Sequence, residues 1–217
     1  MKPELDKTLC EKYPKMFVNR NKPMNETCMC WGFEHGDGWY NIIDTLCEAL
    51  TYTFTTSIEV DAERGKAWSI EPYVWETDSQ PRYFLEVEAP QVVVDQVKEK
   101  FGTLRFYYHL EFEPRFRELA YGEKSIPEAR KIADHYSNFM DGIVHYAEVL
   151  SARTCEETGL PGEMHVGGGW YRTLNPEYAR TNEDCKQRNF VPANSPVRRS
   201  TIVDEETSTS EEPQNDS

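Results

Sequence analysis

The chain lacks any run of about 20 consecutive apolar residues, so no segment reads as a membrane-spanning helix. Its first residues, Met1-Lys2-Pro3-Glu4-Leu5-Asp6, lack the apolar stretch of a secretory leader. These absences predict a soluble intracellular protein whose six cysteines (Cys10, Cys28, Cys30, Cys47, Cys155 and Cys185) are reduced thiols rather than disulfides. Positive charge is also scarce: 24 Lys and Arg against 38 Asp and Glu leave a net charge of −14. A general nucleic-acid binder needs a basic footprint to displace counterions, so this balance argues against nucleic acid as a partner. No Gly-rich phosphate loop of the P-loop or Rossmann type is present; Gly167-Gly168-Gly169 precedes an aromatic run rather than a helix. There is no internal repeat.

Aromatic residues, by contrast, are plentiful: five Trp, twelve Tyr and ten Phe suffice to build a core. Apolar periodicity fades from Lys186 onward, where Ser, Thr, Glu, Asn and Pro dominate. Such composition buries too little surface to offset chain entropy, which predicts a disordered acidic tail over 186–217. Six acids and four bases give that tail a net charge of only −2, so the acidity belongs to the body at 1–185. An acidic body favours solubility, and it also suits a basic protein partner.

Leu5, Leu9, Tyr13 and Phe17 recur at fours after Pro3, which predicts a short amphipathic helix. Asp37 is placed to cap a core helix carrying Ile42, Ile43, Leu46, Cys47 and Leu50. Residues 57–82, broken by Gly65, Pro72 and Pro81, read as an irregular insertion with one hairpin. Strand-forming runs follow at 83–87 and 92–98, and Gly102 turns the second into Leu104-Arg105-Phe106-Tyr107-Tyr108 as an antiparallel hairpin. A brief helix is expected over 114–119. Ser125-Ile126-Pro127-Glu128 has the form of a capping box before a long helix over 126–152. Its stripe of Ile132, Tyr136, Phe139, Ile143, Tyr146 and Leu150, with Ala133, Met140 and Ala147 alongside, predicts one buried face; the spacing also fits a short coiled coil, though too few turns repeat to prefer that. The order predicts a single α+β domain over 1–185, a small antiparallel sheet packed by two or three helices with a ribbon-like turn region after it. Ile42, Leu46, Leu104, Phe106, Phe139, Ile143 and Trp170 are the expected core positions.

Two clusters are candidates for chemistry, and one segment for metal. Glu34, His35 and Asp37 sit on a glycine-rich turn among aromatics, the residue types of acid–base catalysis. Their bland explanation is a helix cap and two surface polars. Cys28-x-Cys30 with His35 nearby could ligate metal or supply a nucleophile, but Trp31 and Phe33 beside them suggest packing. The segment over 154–180 has the turns of a zinc ribbon: Cys155, then Gly159-Leu160-Pro161-Gly162, then Gly169-Trp170-Tyr171-Arg172-Thr173-Leu174. Structural zinc takes four Cys or His donors. His165 and Cys185 are the nearby donors that could complete a set with Cys155. A metal-free ribbon held by Trp170, Tyr171, Leu174 and Pro161 is the simpler expectation, with no cofactor.

Three blocks resemble a group of small proteins of tailed bacteriophages and prophages that has no established activity. They are Gly36-Asp37-Gly38-Trp39-Tyr40 with Ile43-Asp44-Thr45-Leu46-Cys47, Gln96-Val97-Lys98-Glu99-Lys100-Phe101-Gly102-Thr103-Leu104-Arg105-Phe106-Tyr107, and Thr154-Cys155-Glu156 through Gly169-Trp170-Tyr171-Arg172-Thr173-Leu174. The resemblance spans most of 5–180. It implies zinc-ligand positions at Cys155, Thr158, Asn175 and Tyr178, of which only the first holds a donor, so the segment is a degenerate zinc ribbon. Together with the acidic body and the absence of a complete catalytic set, it leads to the expectation of a phage accessory protein in the host cytoplasm that binds a host protein, modulating a host defence or host enzyme. The alternatives are a metal-dependent nucleic-acid accessory protein with a rebuilt knuckle and a small hydrolase-like enzyme around Glu34, His35 and Asp37.

Overall fold

The computed structural model describes residues 1–51, 55–75 and 78–194. Pro3 opens α1 (Pro3–Lys12), and the apolar steps of four continue past its end, so that Leu9, Tyr13 and Phe17 are all buried. Two residues of β1 (Phe33–Glu34) and a 3₁₀ turn over Asp37–Trp39 lead into α2 (Tyr40–Leu50), which buries Ile42, Ile43, Leu46, Cys47 and Leu50. Residues 57–82 are more regular than expected. They supply β2 (Thr56–Val60), α3 (Ala62–Ala67), β3 (Tyr73–Trp75) and the start of β4 (Asp78–Val87), joined as a three-stranded antiparallel sheet in the order β2-β4-β3.

The expected hairpin is present as β5 (Gln91–Lys100) and β6 (Thr103–Glu111), with β1 added in parallel to the outer edge of β5. The two strand runs read at 83–87 and 92–98 therefore belong to different sheets. A register shift between Val94 and Gln96 leaves Asp95 as an extra residue, and the His109 ring nitrogen Nδ1 lies 2.9 Å from its carboxylate. Two helices follow, α4 (Pro114–Tyr121) and α5 (Pro127–Ser151). The third sheet has the order β8-β7-β9, from β7 (Glu163–Gly167), β8 (Trp170–Leu174) and β9 (Val191–Pro192). Helices α6 (Pro176–Thr181) and α7 (Glu183–Gln187) bridge β8 to β9. The architecture is thus mixed α+β, with small antiparallel and mixed sheets packed against several helices. Residues 186–194, expected in the tail, complete α7 and form β9 with Phe190 buried; the rest of that tail lies outside the described residues.

Helix α5 joins two of three hydrophobic clusters. Its first half gives Ala129, Ala133 and Tyr136 to a cluster with β2, β4 and α4. Its second half gives Met140, Val144 and Ala147 to a cluster with α1, α2, β5 and β6. The buried face therefore runs through 129, 133, 136, 140, 144, 147 and 151, one position round from the stripe of large residues. Of that predicted stripe Phe139, Tyr146 and Leu150 are exposed, and Ile132 and Ile143 are half-buried. The reason is space. Alanines and Ser151 let α5 approach its neighbours closely, and the Ser151 hydroxyl accepts the Leu104 N–H at 2.8 Å. The capping box does not form either, because the Ile126 N–H is drawn back to the Leu119 carbonyl of α4 at 2.8 Å and Ile126 takes the cap position. Trp170, also expected in the core, is exposed.

The rotated face has a measurable consequence. Met140→Ala removes a fully buried side chain and should cost about 2–5 kcal/mol, whereas Phe139→Ala should cost below about 1 kcal/mol. Urea unfolding of the two variants, followed by the shift in midpoint, distinguishes this order from the reverse.

Candidate functional site

The three sequence blocks pack onto one another. Gly36 and Gly38 lie against the turn after α5 so closely that a Cβ on either would overlap backbone, that of Glu156 for Gly36 and of Cys155 for Gly38. The Gly38 N–H donates to the Glu156 carbonyl at 2.7 Å, and the Trp39 indole N–H donates to the Thr154 carbonyl at 2.8 Å. The tip of the β5–β6 hairpin docks on β8, where the Thr173 hydroxyl donates to the Gly102 carbonyl at 2.5 Å.

The catalytic candidates are not assembled. Glu34 faces solvent. Asp37 does not cap α2; it accepts the Lys2 N–H at 2.7 Å and pairs with the Lys2 ammonium at 2.9 Å, holding the start of α1. His35 is buried between Phe33 and Trp39, with its ring centroid 6.1 Å and 5.5 Å from theirs. Its Nδ1–H donates to the Gly36 carbonyl at 2.7 Å, and its Nε2 has no hydrogen-bond partner among the described residues. Burial pushes its pKa down to about 4, so the ring is neutral near pH 7. Cys28 precedes and Cys30 lies within a 3₁₀ turn at Met29–Trp31 rather than a strand, and Trp31 projects into solvent.

The metal candidates divide as well. Cys155 and Cys185 are both buried in the third cluster, with Leu174, Ala179 and Phe190. His165 is buried on β7, its Nδ1–H donating to the Glu163 carbonyl at 2.9 Å. Among the described residues no three His, Cys, Asp or Glu side chains are grouped to hold one ion. The positions that the resemblance marks as ligands carry hydrogen bonds instead. The Thr158 hydroxyl accepts the Leu160 N–H at 3.3 Å. Asn175 Oδ1 accepts the Glu177 and Tyr178 N–H groups at 3.1 and 3.2 Å, while its Nδ2 donates to the Pro161 carbonyl at 2.9 Å. One side chain thus caps α6 and ties the second turn to the first. Packing comes from the third cluster rather than from Trp170 and Tyr171, which are turned outward.

That outward turn builds a feature absent from the sequence reading. Phe101 and Gly102 form the two-residue loop of the β5–β6 hairpin, both with positive φ (54° and 77°), closed by the Lys100–Thr103 pair. This is the I′ pattern, which favours Asn, Asp or Gly at its first position. A phenylalanine there is strained, and it is 64% exposed. Its ring meets Tyr171 edge-on at 6.3 Å, and Trp170, 61% exposed, neighbours Tyr171 on β8. The loop is held from behind by Glu99, whose carboxylate accepts the Gly102 N–H, and by Thr173. Arg172 between them donates at 2.6 Å to Glu156 and also pairs with Glu157. Burial pushes the Glu156 carboxyl above its ordinary range, and Arg172 pulls it partway back. A shallow depression of about 250 Å³, lined by Glu99, Trp170, Tyr171, Arg172, Asp184 and Arg188, lies beside the aromatics. The only sequence signal for this face was the Phe-Gly dipeptide at a hairpin tip.

No protein-family model matches the chain, no curated protein matches it in sequence, and no solved structure matches it. Among the described residues no helix is long and apolar enough to cross a membrane.

Two substitutions probe the seat beneath the aromatic face. Gly38→Ala should destabilise the fold by about 2–4 kcal/mol, read from the urea midpoint, because two backbones must separate. His35 has its folded pKa below its unfolded one, so its contribution is present above pH about 6.5 and is lost as pH falls toward 4. That loss should be on the order of 3 kcal/mol. His35→Gln, which does not titrate, should flatten the fall; an unchanged slope would assign it to other groups.

Proposed function

We propose that this chain is a bacteriophage accessory protein acting in the host cytoplasm, where it binds a host protein through the face formed by Phe101, Trp170 and Tyr171. The observation that carries this reading is the strained, exposed Phe101. Within the chain the ring meets only the exposed Tyr171 and, among the described residues, the Lys100 ammonium 5.6 Å from its centroid, and a side chain held at an I′ position at a cost in stability belongs with function more readily than with folding. Trp and Tyr are among the residue types that dominate binding energy at protein interfaces; Tyr171 stands edge-on beside Phe101, and the exposed Trp170 adjoins Tyr171 along β8. The resemblance of the three blocks to phage proteins supplies the origin. The acidic body supplies the kind of partner, a host protein with a basic surface, because complementary charge speeds encounter. The separate placement of Glu34, His35 and Asp37 is the reason for preferring binding to hydrolysis.

Phe101→Asn is the informative substitution, since asparagine suits the turn. It should stabilise the fold by about 1 kcal/mol while weakening partner capture from host lysate at least tenfold, as should Trp170→Ala without the gain in stability. The comparison is quantitative mass spectrometry of proteins retained by wild type and by each variant. A protein retained equally by all three would remove this face from the reading.

A further inference from the structure

The face of α5 that the fold leaves largely outside has a seven-residue spacing, beginning at the half-buried Ile132. Ile132, Phe139 and Tyr146 recur at that interval, and so do His135, Gly142 and Val149, three residues further on. This is the a/d spacing of a coiled-coil seam, maintained over most of a helix about 37 Å long. Its large members are open to water: Phe139 is 40% and Tyr146 70% exposed, and Val149 is exposed beside them. Gly142 sits in the middle of the seam. Glycine is the poorest helix former after proline, and the chain's own packing does not demand one here, since a Cβ at this position meets nothing within 4 Å. A glycine in such a place leaves a notch for something outside the chain to enter.

We infer that the occupant is a second copy of the same helix, packed antiparallel about a two-fold axis. The spacing makes the seam complementary to itself. With the axis passing between Met140 and Asp141, Phe139 of each copy lies over Gly142 of the other, a large aromatic over the smallest seam residue. The same axis sets His135 against Tyr146 and Ile132 against Val149, so every seam position finds a partner in one register. A two-fold interface requires this, because each patch must complement its own copy. The flanks agree. Ile143 and Leu150 widen the apolar strip on one side, while Asn138 and His145 face each other across the axis on the other, with no pair of like charges. The contact involves one helix per copy, at the low end of interface size, so it forms reversibly as concentration rises.

Sedimentation equilibrium of the full chain tests this. The expected result is a monomer–dimer equilibrium with Kd on the order of 1–100 μM. Gly142→Leu should raise Tm, since leucine favours helix and its Cβ meets no neighbour within the chain, yet weaken the dimer at least tenfold by filling the notch. Tyr146→Lys should weaken it similarly with Tm little changed. Trp170→Ala should leave Kd unaltered, which separates this interface from the aromatic face of the hairpins. A chain that stays monomeric at about 1 mM overturns the inference. So does a dimer that survives both α5 variants, or one that Trp170→Ala dissociates.

Discussion

Gly38 and Cys155 meet backbone to backbone, and the neighbouring contacts are arranged around that approach. The Gly38 N–H finds its acceptor on Glu156, the Trp39 indole finds one on Thr154, and the Glu156 N–H is spent on the Thr173 carbonyl at 3.0 Å. Thr173 in turn fixes Gly102 through its hydroxyl. A short chain of hydrogen bonds therefore runs from the start of α2, through the turn after α5, to the tip of the β5–β6 hairpin. Side chains larger than hydrogen at Gly36 or Gly38 would push the first two apart and leave buried N–H and C=O groups without partners. The three sequence blocks are the parts joined by this chain, and the groups that join them are glycine backbone, the Thr173 hydroxyl and the Trp39 indole.

The segment over 154–180 closes its two turns with side-chain hydrogen bonds. A side-chain oxygen at position 158 or 175 accepts backbone N–H groups two or three residues on, and Asn175 adds a crosslink to the other turn that a single sulfur acceptor cannot donate. Cys155 and Cys185 then behave as small apolar residues in the cluster between the turns.

Much of the fold was legible because its signals are local. The helix from Pro127 to Ser151, the core face of α2 and the hairpin around Gly102 follow from periodicity and turn chemistry. What failed depended on partners. Large residues mark a helix's inner face only where the neighbours leave room for them, and β6, α2 and α4 approach α5 too closely. The regular sheet within 57–82 depends on the pairing of β2 with β4, residues far apart in sequence, which no local pattern reports. At the candidate site, His35 and Asp37 looked catalytic because their types and spacing suit acid–base work. Only their surroundings, a hydrophobic slot and a lysine at the start of the chain, separate them. The aromatic face was hidden for the opposite reason: Phe101 is ordinary in sequence and unusual only in its φ.

The Trp39–Thr154 contact joins residues 115 apart in the chain. During synthesis at about 5–20 residues per second, the first motif emerges roughly 6–23 seconds before its seat exists. For that interval the indole of Trp39 and the neighbouring apolar face of α2 have no native site to occupy. Residues 1–50 carry eight acids against six bases, so charge repulsion between nascent copies grows only as the more acidic later segments emerge.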